Sequence, residues 1–246
     1  MKSTRRVMPS FAVYVAVHVM CVQMDYGGAL DFQGLAATLR RCHFRSNSCT
    51  DYDSGVDGHG GAVMMKNGII IDSVFESNTA LQGAGLYAIA DVNVRNCTFD
   101  TNNATESGGG IYAFGSLTIE NSIIRKCSAS GNGAAVYSQA AIELIDSSIE
   151  LLTFSAECAA VYHEPPSSGM LLFARAVTFD KVELPYFASS VPNTVLISNC
   201  GLNASDVQLT SLVTCADLAR IDITGYYCAV EHCGDAAAGI EVRQSP

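Results

Sequence analysis

The stretch Gly108-Gly-Gly-Ile111-Tyr112-Ala-Phe-Gly-Ser-Leu117-Thr-Ile119-Glu-Asn121-Ser-Ile-Ile124-Arg-Lys-Cys127 decides how this chain folds. Glycines lead into Ile111-Tyr112, a short turn follows, and Leu117 and Ile119 then alternate with polar neighbours. Asn121, Ile124 and a small polar stretch complete the unit before the pattern starts again. Gly60, Gly83, Gly108, Gly133 and Cys158 open successive units at spacings of 23, 25, 25 and 25. Four positions on stand Met64, Tyr87, Tyr112, Tyr137 and Tyr162, each preceded by Val63, Leu86, Ile111, Val136 or Val161. A large apolar residue recurs later in the unit, at Phe75, Phe99, Ile124, Ile149, Phe179 and Leu202. Three residues ahead of these lie Asp72, Asn96, Asn121, Asp146 and Asn199, interrupted only by Ala176. A column of Asn or Asp predicts a stacked turn, because the short side chain tolerates left-handed backbone angles and bonds nearby backbone.

Local period separates strand from helix. Val92-Asn-Val94, Leu117-Thr-Ile119 and Ile142-Glu-Leu144 alternate with period two next to Gly or Asn. No stretch within 60–205 sustains helical spacing for ten residues. A unit of about 25 residues made of short strands predicts an all-β parallel β-helix solenoid, one coil per unit. Coils stack at roughly 4.8 Å, with Val, Ile, Leu and Phe in interior ladders. Six or seven rungs are expected over 25–206, then an irregular or partly helical cap over 207–233 and a frayed tail over 234–246.

Gly27-Gly28-Ala29-Leu30 and Gly60-Gly61-Ala62-Val63 look like one half of a paired motif, GGA[ILV]. Phe44-Arg-Ser-Asn47, Phe75-Glu-Ser-Asn78 and Phe99-Asp-Thr-Asn102 look like the other half, FxxN. The pairing resembles the polymorphic outer-membrane protein repeats of chlamydiae and related repeats in surface proteins of protists. That resemblance implies a right-handed, pectin-lyase-type β-helix serving as a passenger or adhesin domain at the cell surface. It covers residues 27 to about 130. Beyond Asn102 the FxxN asparagine gives way to Cys127 and Leu152, and no β-barrel pattern follows within the 246 residues.

The net charge is −10, and without Lys2, Arg5 and Arg6 it becomes −13 (11 basic against 24 acidic). Such a chain repels nucleic acid and anionic lipid. Residues 1–24 have the outline of a secretory signal, with basic Lys2–Arg6 and an apolar Phe11–Val22. Pro9, His18 and the want of a small-x-small site before Tyr26 speak against it. The alternation of Val-Tyr-Val-Ala-Val-His-Val suits a first strand instead. No apolar run reaches the ~20 residues of a spanning helix. Among ten cysteines there is no CxxC pair. Cys42, Cys97 and Cys200 occupy equivalent positions and read as buried small hydrophobes. Cys215, Cys228 and Cys233 are candidates for disulfides closing the C-terminal end, in preference to a metal site with His232. Sequons stand at Asn96, Asn103 and Asn203. Asn96 falls in the turn column, which leaves Asn103 and Asn203 as glycosylation candidates, Asn103 the better.

Two insertions interrupt the units. The first, over 48–59, carries Asp51, Asp53 and Asp57 at alternate positions, a candidate calcium loop. Gly55 at the third ligand position and no Glu at the twelfth favour a solvated acidic loop. Within it Gly58-His59-Gly60 resembles a polygalacturonase element, but the NTD, DD and RIK elements of those enzymes are absent. Arg95, Arg125 and Arg175 show no clustering with Asp that spacing supports. The second insertion, His163-Glu-Pro-Pro-Ser-Ser-Gly169, reads as exposed polar decoration. Tyr87, Tyr112, Tyr137 and Tyr162 alternate with inward residues and so form an outer ladder, either a carbohydrate platform or cross-rung packing. The functional expectation is a non-enzymatic, secreted or cell-surface repeat domain that binds a glycan or protein partner and needs no cofactor beyond the candidate calcium. A divergent polysaccharide lyase or glycoside hydrolase is the alternative.

Overall fold

Alternating apolar residues at a 25-residue period require each coil to lie on its predecessor, and the strands pair accordingly. The computed structural model describes residues 18–20, 28–49, 58–150, 152, 159–164, 166 and 171–180, and beyond these only the strand backbones 187–189, 194–198, 201–203, 213–215, 220–224 and 240–243. Every described element is a β-strand and every strand pairing is parallel. Ile111 lies in register with Leu86 below and Val136 above, and Val136 with Val161. The coil is that of a parallel β-helix.

Each coil contributes to four faces. The first holds Leu86–Ala88, Ile111–Ala113, Val136–Ser138 and Val161–His163. The second holds Val92–Arg95, Leu117–Glu120, Ile142–Ile145 and Leu171–Arg175. The third holds Val74–Glu76, Thr98–Asp100, Ile123–Arg125, Ser148–Glu150 and Thr178–Asp180. The short fourth holds Ser48–Cys49, Thr79–Ala80, Asn103–Ala104 and Ser128–Ala129. Leu30–Arg40 and Val63–Ile71 run through the first two faces as single strands, which makes one 15-stranded sheet of them.

Corners are turned by left-handed residues in columns. Asp72, Asn96, Asn121 and Asp146 have φ of 52°, 52°, 47° and 48°, as their recurrence predicts. Ser46, Ser77, Thr101 and Lys126 form a second such column that the sequence did not advertise. The unit-opening glycines form the third, and Gly108 at φ 69° shows why glycine is needed there. A Cβ on it would lie 2.6 Å from the Ile111 carbonyl oxygen.

Inside, Phe44, Phe75 and Phe99 are fully buried and stacked, with centroids 5.0 and 4.5 Å apart. Ile124, Ile149 and Phe179 continue that column. Beside it runs a polar ladder, since Asn47, Asn78 and Asn102 are all buried. Asn47 donates through its backbone N–H and Nδ2 to Asn78 Oδ1, and Asn78 does the same to Asn102 Oδ1, all at 2.9–3.0 Å. The remaining Nδ2 hydrogens of Asn78 and Asn102 bond the carbonyls of Phe44 and Phe75. The ladder ends on the Cys127 sulfur, which accepts from Asn102, and Leu152 follows in the next coil. FxxN is therefore an interior motif: Phe and Asn both point into the coil.

The third face has eight strands, seven of them between 27 and 205, in keeping with the six or seven rungs expected, and begins with His18–Met20 paired to His43–Arg45. Those three residues are the described part of the candidate signal. The sheet also passes the expected end of the repeats at 206. Val213–Cys215, Arg220–Thr224 and Ile240–Arg243 pair in parallel with the strands before them, where a cap and a tail were expected. Ile221-Asp-Ile223 and Ile240-Glu-Val242 still alternate, but beyond 206 the sequence has no asparagine and no Gly-Gly pair to mark the coils.

Arg125 bonds Asp100 at 2.7 Å, Arg95 lies 3.0 Å from Glu120, and Arg175 lies 3.8 Å from Asp146. Each partner is one rung away, a contact that stacking makes and sequence proximity hides. Burial raises the Asp100 carboxyl, but hydrogen bonds from Thr101 and Arg125 outweigh it and hold the group below its ordinary value.

His163 is not surface decoration. The Val161–His163 strand carries the first face further than a loop reading allows, so Val161 points in, Tyr162 out and His163 in. Its ring is fully buried and donates Nε2–H to the Ala140 carbonyl at 2.9 Å. Burial lowers this histidine from 6.5 to about 4. The folded chain therefore refuses a proton that the unfolded chain accepts below pH 6.5. Stability is full above that pH and falls by about 3 kcal/mol as pH drops towards 4. Urea titrations at pH 7.5 and 4.5 check this, and His163→Gln, which keeps a donor, should flatten the slope.

Candidate functional site

The outer side of the first face is where the sequence expects a surface to act. Val63, Leu86, Ile111, Val136 and Val161 are wholly buried in the coil interior. Alternation turns Met64, Tyr87, Tyr112 and Tyr137 the other way, into a separate cluster with Tyr162 packed against it. His59 begins the column. Its ring lies 4.1 Å from Tyr87 and nearly parallel, and the stack continues through Tyr112, Tyr137 and Tyr162 at 5.1, 4.6 and 5.6 Å. The Gly58-His59-Gly60 element thus supplies the first ring of an aromatic ladder.

The tyrosines come together as the spacing predicts, yet their faces cover one another. Tyr87, Tyr112 and Tyr137 are only 3%, 3% and 7% exposed. A second outer column, which the sequence reading missed, lies two residues further on: Lys66, Ile89, Phe114, Gln139 and Glu164. Backbone bonds of 2.7–2.8 Å from Ile89, Phe114, Gln139 and Glu164 to the coil below fix its register. Phe114 is 45% exposed, sets its edge on Tyr87 at 5.8 Å and lies tilted against Tyr112 at 5.5 Å. Parity would have found it, since Phe114 shares the side of the strand with Tyr112 two positions earlier.

Carboxylates border the ladder. The Tyr137 hydroxyl donates to Glu164, and the exposed Glu106 accepts from Gln82 Nε2 at 2.7 Å. Burial pushes the Tyr112 phenol up to about 12, and the charges of Glu164 and Glu106 push the same way. Burial and then the bond to Glu164 raise Tyr137. Both phenols stay protonated, and that of Tyr137 donates to Glu164.

The other candidates are scattered. Asp51, Asp53 and Asp57 lie outside the described residues, as do Cys228 and Cys233, and Cys215 and Asn203 are described only as strand backbone. Cys42, Cys49, Cys97 and Cys127 are buried. Burial pushes Cys97 and Cys127 up to about 12, which leaves them inert. Asn103 is exposed on the fourth face, with Oδ1 held by Ser128 Oγ at 2.6 Å. Asn96 instead donates its Nδ2 to Asp72 Oδ1 at 3.3 Å. Among the described residues no helix is long and apolar enough to cross a membrane.

Compared with known families, the chain matches the right-handed β-helix region over residues 23–155. No curated protein and no solved structure matches. The matched span is more than half the chain and covers the stacked coils from the first long strand through the fifth FxxN-equivalent turn, so this chain belongs to the right-handed β-helix family.

Proposed function

We propose that this chain is a non-enzymatic repeat domain, secreted or displayed at a cell surface, that binds a partner through the outer side of its first face. The observation that carries this reading is the double column there. A stiff, mutually stacked tyrosine ladder backs a half-exposed phenylalanine, and polar and charged side chains border both. An aromatic side chain held on a rigid sheet contacts a ligand at little conformational cost. The backing rings immobilise Phe114 without closing it off. The likeness of the GGA[ILV] and FxxN motifs to surface-protein repeats supports the same role.

Glycan and protein arrays probed with the full chain test the proposal. Phe114→Ala removes an exposed ring and leaves the coil interior intact, so it should abolish the strongest array signals while thermal unfolding stays within a degree or two. Unsaturated products or new reducing ends released from polysaccharides would overturn the non-enzymatic reading.

The same placement predicts modification at Asn103. Expressed through a eukaryotic secretory route, the chain should gain the mass of one N-glycan. Asn103→Gln should remove it and Asn96→Gln should not. A glycan that survives Asn103→Gln would move the site to Asn203.

A further inference from the structure

We infer that the ligand of the first face is a glycan carrying free amino groups, an inference that rests on the binding role proposed above. Three features of the face choose this chemistry.

The face lies in the middle of a continuous sheet. Tyr87, Tyr112 and Tyr137 belong to strands paired in parallel above and below, so no backbone edge is open there. A peptide laid across it cannot add as a strand, and would order itself for side-chain contacts alone. A stiff saccharide chain is already ordered. Its apolar C–H face suits the exposed Phe114 ring and the adjoining Ile89.

The charge bordering this contact is negative. Glu164 ends the Phe114 column two rungs from the ring, and Glu106 lies on the other side of the tyrosine ladder. The Tyr112 hydroxyl senses both carboxylates. Lys66 ends the column on the opposite side, also two rungs from Phe114, so Glu164 and Glu106 leave the border with one negative charge in excess. A chain of amino sugars lying along the column can thus set one ammonium over the Phe114 ring and another, about 10 Å on, against Glu164.

The whole chain repeats the same sign, at −10. A uronic-acid polymer is repelled at every approach, whereas a polyamine glycan is drawn in.

The test compares four probes on the full chain by calorimetry at low and moderate salt: glucosamine oligomers, N-acetylglucosamine oligomers, oligogalacturonate and oligolysine. Glucosamine oligomers should bind at least tenfold tighter than the N-acetylated form, and oligogalacturonate should not bind. Phe114→Ala should weaken the glucosamine oligomer about tenfold. Glu164→Gln and Glu106→Gln should each weaken it severalfold and flatten the salt dependence. Equal affinity for the N-acetylated form, with both lost on Phe114→Ala, would overturn the amine requirement and leave the binding face standing. Binding of oligolysine as tight as glucosamine and untouched by Phe114→Ala would reduce the effect to net charge and overturn the inference. Glucosamine binding that ignores all three variants would place the site elsewhere and overturn both.

Discussion

Asn78→Ala should lower the free energy of unfolding by about 4 kcal/mol. The side chain is fully buried and makes four bonds. Its oxygen accepts from the Asn47 N–H and Nδ2, and its nitrogen donates to the Phe44 carbonyl and Asn102 Oδ1. Truncation leaves two Asn47 donors and the Phe44 carbonyl buried without these partners, at about 1–3 kcal/mol each. Asn102 Oδ1 is spared, because the Asn78 N–H still reaches it. Asn78→Asp separates the two halves of the effect. An ionised carboxylate keeps the accepted bonds, cannot donate, and buries a charge. Its folded-state pKa rises, so its stability should be best at low pH and fall as pH climbs past the ordinary carboxylate value near 3.9. Denaturant titrations of the three proteins at pH 4 and 7.5 measure both. A loss below 1 kcal/mol in Asn78→Ala would mean that water enters the coil and replaces the ladder.

The fate of that ladder shows what a sequence of this kind discloses. FxxN was visible as a motif, and its Phe was rightly sent to the interior. The asparagine was not, since a buried amide is explained only by partners 24 and 31 residues away in the chain. The Asp72–Asp146 corner column was easier, because left-handed angles are a local property that Asn and Asp declare on their own. Lys126 and Thr101 turn an equally left-handed corner and declare nothing. Their conformation is imposed by the stack around them. The same division runs through the surface. The tyrosine ladder followed from alternation, a one-strand property. The pairing of Arg125 with Asp100, the shielding of the rings by each other, and the placing of Phe114 over them follow from adjacent coils. His163 was misread for a third reason: the loop's prolines and serines outweighed one more step of inward–outward alternation.

Phe99→Ala should cost about 4 kcal/mol, within the range for deleting a fully buried ring. Phe99 has no solvent exposure and lies flat on Phe75, with centroids 4.5 Å apart and planes 3° from parallel. The coil has already been thinned to admit it. A Cβ on Gly85 would come within 2.7 Å of the Phe99 ring, and also within 2.7 Å of the Gly110 carbonyl oxygen. With backbone on that side, and neighbouring rungs fixed in register by the strands of the third face, the walls have no way to close on the void. Phe99→Leu should be far milder, about 1.5 kcal/mol, because Ile124 and Ile149 already fill the same column in the next two coils. Stacking also makes the damage spread. In a solenoid each coil is held by its neighbours, so a weakened middle rung uncouples the two halves. Hydrogen exchange should therefore show Phe99→Ala exposing amides of the flanking rungs, Phe75 and Ile124 among them, before those of Val161. Uniform exchange along all coils, with the same overall loss, would instead make the whole β-helix one cooperative unit.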